Sequence, residues 1–182
     1  MALYSSSSRL RGKGFLAACL AAAIVVGICL WTGGALGILT AGKLEEDARA
    51  SQRIDPSWQT AQTAGDQLAA MVFYPEDRAD HTFSLYWNRP GPSAGWFFRA
   101  GGSITPLQEG VVRFTLEGCG EVAYGSLNRP GVSQVVVDDG SDPRVLSLDP
   151  EKPFALVLPR NAGTVTFYDR EGRVVEPHQE IL

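Results

Sequence analysis

Apolar and polar positions divide this chain into three stretches. From Phe15 to Leu39 there is no charged residue in 25 positions, while Arg9, Arg11 and Lys13 lie just before and Lys43, Glu45, Glu46 and Asp47 just after. As a helix the stretch would span about 37 Å, more than the roughly 30 Å hydrocarbon core of a bilayer. Residues 15–39 therefore read as a single-pass transmembrane helix in contact with membrane lipid. Cations on the N-terminal side predict residues 1–14 as a short cytoplasmic tail and the remainder as extracytoplasmic. A cleaved secretory signal is the alternative, with Gly33 and Ala35 as small residues at the cut.

Beyond the apolar stretch, Lys43 to Ile54 is rich in Glu, Ala, Arg and Gln, which favour helix. Asp55-Pro56 then punctuates. After it Trp58, Ala61, Gly65, Leu68 and Val72 recur every three or four residues, which predicts a second amphipathic helix. Residues 40–80 are thus expected to form a helical stalk or linker.

From residue 81 the period shortens to two. Runs rich in β-branched and aromatic residues occupy 82–87, 95–99, 111–116, 121–127, 133–138, 144–148, 154–158, 164–169 and 173–176, separated by Pro-Gly and Asp-Gly turns. Phe83, Leu85 and Trp87 alternate with Thr82, Ser84 and Tyr86, so each such strand should bury one face. Without helical crossovers the sheets should be antiparallel. The expected fold class is all-β: residues 81–182 form an exported antiparallel β-sandwich of immunoglobulin-like or jelly-roll type, behind the transmembrane helix and stalk.

Two turns echo one another forty residues apart, Asn88-Arg89-Pro90-Gly91 and Asn128-Arg129-Pro130-Gly131. Pro followed by Gly suits a type II turn. If both loops share one end of the sandwich, Arg89 and Arg129 would face one ligand. The aromatic run around Trp96 and Phe97, with Arg99 beside it, would offer a second surface for a sugar ring or partner protein. Arg89, Trp96, Phe97, Arg99 and Arg129 are accordingly the candidate binding residues.

Charge narrows the partners. All twenty Asp and Glu but only thirteen of the sixteen Lys and Arg follow residue 42, a formal charge of −7 for that part. With arginines scattered singly, no nucleic-acid partner is expected. An envelope protein or glycan fits better, and oligomeric state is left open.

Candidate chemistry is sparse. Histidine occurs only at 81 and 178, and no serine sits in a G-x-S-x-G elbow. Of three cysteines only Cys119 lies outside the apolar stretch, so no disulfide within the exported domain is available. Gly118-Cys119-Gly120 would expose a thiol nucleophile on a turn, and Glu76, Asp77 and Asp80 gather near His81. Neither that group nor the acidic run 138–142 has the ligand spacing of a metal loop, so no metal and no cofactor is expected. The leading reading is a non-enzymatic binding or protein-interaction module anchored in the membrane, with no catalytic residues. The alternatives are an exported hydrolase or transpeptidase using Cys119 or the acidic group near His81, and a structural subunit of a membrane complex.

Overall fold

The computed structural model describes residues 16, 19–29, 37–88 and 95–182. The chain divides into two units, 1–37 and 38–182. Within the first, residues 19–29 form a helix, α1, whose side chains are exposed. No helix among the described residues is long and apolar enough to cross a membrane. Much of the 15–39 stretch lies outside the described residues. Its last two members, Ile38 and Leu39, belong to the second unit. There the backbone of Ile38 exchanges hydrogen bonds of 2.9 and 2.8 Å with that of Trp96.

The second unit is all-β and predominantly antiparallel. A 3-10 turn, Ala41–Lys43, leads into helix α2, Leu44–Gln52. Strands β1 (Gln59–Ala64), β2 (Leu68–Tyr74), β3 (Thr82–Asn88) and β4 (Trp96–Gly102) form a first sheet in sequence order. Helix α3, Thr105–Glu109, precedes the remaining strands: β5 (Val112–Thr115), β6 (Glu121–Ser126), β7 (Val132–Asp138), β8 (Arg144–Ser147), β9 (Phe154–Pro159), β10 (Thr164–Asp169), β11 (Val174–Val175) and β12 (His178–Ile181). They make a second sheet, β12-β5-β6-β9, and a third, β11-β10-β7-β8. Among the described residues only β12 runs parallel to its neighbour, β5. Three four-stranded sheets thus take the place of the two expected of an immunoglobulin-like or jelly-roll sandwich.

Burial explains the stacking. In the second sheet, Ala123 of β6 and Val157 of β9 face Leu68, Ala70 and Val72 of β2, while Val122, Tyr124, Leu156 and Leu158 face Val135, Val137 and Phe167 of the third. The inner strands of the second sheet, β6 and β9, therefore carry apolar residues on both faces, whereas the edge strand β12 is mostly exposed. A third cluster lies on the far face of the first sheet, where Leu44, Ala48 and Ile54 cover Met71, Phe73, Tyr86 and Trp96. Burial of each large aliphatic or aromatic side chain contributes about 1.5–3 kcal/mol.

The helix expected after Pro56 is instead the β1–β2 hairpin. Leu68 and Val72 are four apart, and a separation of four keeps one face in a strand as well as in a helix. All seven residues of β2 are buried, between α2 on one side and the second sheet on the other. A stretch with no solvated side carries no strand alternation to read. In place of the expected helical stalk, residues 40–80 form one short helix and this hairpin. Helix α2 is docked, with Tyr86 Oη donating to Asp47 at 2.6 Å and the Arg49 guanidinium 5.0 Å from the centre of the Phe73 ring. β3 is likewise covered on its second face, where Ser84 accepts a hydrogen bond from Gln52.

Candidate functional site

At one end of the second and third sheets, four connections converge on a polar cleft of about 390 Å³. The β2–β3 loop contributes Arg78, the β6–β7 turn Asn128 to Gly131, the β8–β9 turn Pro150 and Glu151, and the β10–β11 turn Asp169 to Arg173. Each turn is set by its own residues. Asn128 is buried and holds a left-handed backbone, φ 56°, which asparagine tolerates better than most. Its side-chain amide donates to the carbonyls of Val132 and Asp149, both at 3.1 Å, and its Oδ1 accepts the Val132 N–H at 2.7 Å. The β6–β7 turn is thereby tied to the β8–β9 turn. Gly131 N–H donates to Asn128 O at 3.2 Å, so the turn centres on Arg129 and Pro130, one residue earlier than a type II turn on Pro-Gly.

Across the cleft the Asp169 carboxylate accepts the N–H groups of Glu171 and Arg173, each at 2.9 Å, and Nε of Arg173 at 2.7 Å. These donors, the Arg173 backbone first, hold the Asp169 carboxyl below its usual pKa. Arg173 also reaches Glu171 at 2.7 Å, and Arg170 pairs with Glu151. Arg78 donates to the Glu151 carbonyl at 3.0 Å, and Arg129 donates to the Arg78 carbonyl at 2.9 Å. Four guanidinium groups therefore surround one opening, two in carboxylate pairs and two bound to carbonyls.

Of the candidate binding residues, Arg129 lines this cleft and Arg89 lies outside the described residues. Trp96, Phe97 and Arg99 sit on β4, away from it. Trp96 is only 7% exposed, packed with Tyr86 under α2, so its ring is core and offers no surface to a ligand. Phe97 is half-buried, and exposed Arg99 stacks 5.4 Å from the centre of the Trp87 ring. Sequence reasoning missed Arg78, Glu151, Asp169, Arg170 and Arg173, because three of the four loops carry only ordinary turn residues. The Asn-Arg-Pro-Gly turn was the one visible signal.

Of the groups offered for catalysis, the thiol and the imidazole are internal, while the carboxylates of Glu76, Asp77 and Asp80 are exposed. Cys119 is 2% exposed, and burial pushes its thiol above the usual range, against thiolate formation. His81 is also 2% exposed, with Nε2 3.0 Å from both the N–H and the carbonyl of Ile104. Burial lowers its pKa, opposed by the Ile104 contact and by Asp80. Asp77 and Asp80 accept neighbouring backbone N–H groups. Among the described residues no group of three or more His, Cys, Asp and Glu is arranged to hold a metal ion.

A larger hollow of about 630 Å³ beside Ile38 to Lys43 and α2 has only Lys43, Glu46 and Asp47 as charged lining, without the convergence of loops seen at the arginine cleft. No protein-family model matches the chain, and neither a curated protein nor a solved structure resembles it.

Proposed function

We propose that this protein is a membrane-tethered, extracytoplasmic β-sandwich module that binds a ligand in the arginine cleft and carries out no catalysis. One observation carries the binding reading: four arginines, from three of the four connections that converge there, surround one polar cleft, whereas the thiol and the imidazole that chemistry would use are interior. Binding sites on β folds typically sit on loops held by a rigid scaffold, and this cleft is of ligand-pocket size. The tether rests on the uncharged 15–39 stretch and on the three cations before it.

The test uses the full chain in lipid nanodiscs, incubated with solubilised envelope glycan and, separately, cross-linked in intact membranes. Retention of an envelope glycan or protein, lost when Pro130→Trp fills the cleft, is the expected result. No retention by the unaltered chain overturns the reading. Native labelling of Cys119 by a thiol probe at the rate of a free thiol would instead favour the hydrolase or transpeptidase alternative. Protease protection of the N-terminus with cleavage of residues after 42 is the expected topology.

A further inference from the structure

We propose that Arg78 and Arg129 together form a receptor for a single oxyanion, a carboxylate or phosphate group, an inference that rests on the cleft being the ligand site. The four arginines divide into two kinds. Arg170 is neutralised by Glu151, and Arg173 by Asp169 and Glu171. Arg78 and Arg129 have no ion-pair partner among the described residues, and each donates to a single backbone carbonyl. A guanidinium carries five N–H donors, so each keeps most of its capacity and all of its charge. The rim carboxylates do not compete, since Glu151, Asp169 and Glu171 are occupied by Arg170 and Arg173.

The two free cations are also held in place. Arg129 rests on the Arg78 carbonyl and Arg78 on the Glu151 carbonyl, a chain of contacts across three loops. Ordering before the ligand arrives lowers the cost of binding it. Backbone geometry points the same way. Three non-glycine residues with positive φ occur among the described residues: Arg53, Arg78 and Asn128. Arg53 ends α2, while the other two line the cleft. A left-handed position is least strained as glycine, and arginine there bears a steric cost that turn formation does not require. The guanidinium fork matches either oxyanion through two parallel hydrogen bonds.

The full-length protein in nanodiscs is titrated with inorganic phosphate and, separately, with acetate, at constant ionic strength set by sodium chloride. Calorimetry gives affinity, and arginine Nε–H resonances report the site. Saturable binding by at least one probe is expected, at about millimolar affinity for so small a group. Arg78→Gln and Arg129→Gln should each weaken it about tenfold or more, and Arg144→Gln on exposed β8 should not change it. Arg78→Lys and Arg129→Lys keep the charge without the fork, and intermediate losses are expected should a glutamine variant fold poorly. Saturation by phosphate alone assigns a phosphate ligand, and by acetate alone a carboxylate. No saturation by either, or unchanged affinity in both glutamine variants, overturns the receptor. Envelope binding abolished by Pro130→Trp yet kept by both glutamine variants would end the oxyanion receptor while leaving the cleft as the ligand site.

Discussion

Glu121 and the Arg78–Arg129 pair are both charged groups bound to backbone, and they end in opposite states. The Glu121 carboxylate accepts the N–H groups of Asp66, Gln67 and Leu68 at 3.0, 2.9 and 2.7 Å, so the β1–β2 turn closes around it. The two arginines each spend one donor on a carbonyl. A charge whose hydrogen-bonding capacity is filled by the chain joins two parts of a fold, here the first sheet to the second. A charge held in place with donors to spare is prepared for something outside the chain. Stability measurements should separate the two kinds.

The largest loss is expected for Glu121→Ala, which leaves three N–H groups without a charged acceptor; about 3 kcal/mol should be lost in a urea titration. Next comes Gly65→Ala, whose new Cβ would occupy the place of the Glu121 carboxylate and push it off the turn, at about 2 kcal/mol. If that is the cause, the double variant should cost clearly less than the two losses added. Full additivity would show that Glu121 does not join the sheets through this turn.

His81 sets an intermediate effect that depends on pH. Its folded pKa lies below 6.5, so the neutral form is favoured by folding. That contribution is complete above pH 6.5 and is lost as the pH falls from there through the lower folded value. Asp55, Asp139, Asp149 and Asp169 are also lowered, from 3.8, so their losses fall in a more acid window. Denaturant midpoints measured between pH 7.5 and 5 should decline in the unaltered protein and stay nearly level in His81→Gln. The smallest stability effect is expected for Arg129→Gln, within about 0.5 kcal/mol, because one exposed hydrogen bond to a carbonyl is all the fold loses. A loss comparable to Glu121→Ala would place Arg129 with the structural charges and remove the contrast.

Legibility in the sequence followed solvent exposure. β5 and β7 show alternation because each keeps partly exposed positions between buried ones, such as Arg113 between Val112 and Phe114. β2 hid its class because both faces are covered, and Leu-Ala-Ala-Met-Val-Phe-Tyr offers no polar phase. Trp96 seemed available as a binding aromatic because its sequence neighbours do not reveal that Ile38, Tyr86 and α2 enclose it. At the cleft, the turn at Arg129 was visible as a motif. Arg78, Glu151 and Arg173 were not, since they are brought together from positions up to 95 residues apart.

By itself the sequence determined what depends on local composition: the uncharged stretch and its flanking charges, the all-β class from residue 81, and the scarcity of candidate nucleophiles. Tertiary structure alone decided which apolar strands lie between two layers, that α2 is a cover, and which arginines keep unspent donors. Those outcomes depend on partners distant in the chain. Whether a charge is satisfied is a property of the groups folding brings to it, and the identity of the residue does not carry that information.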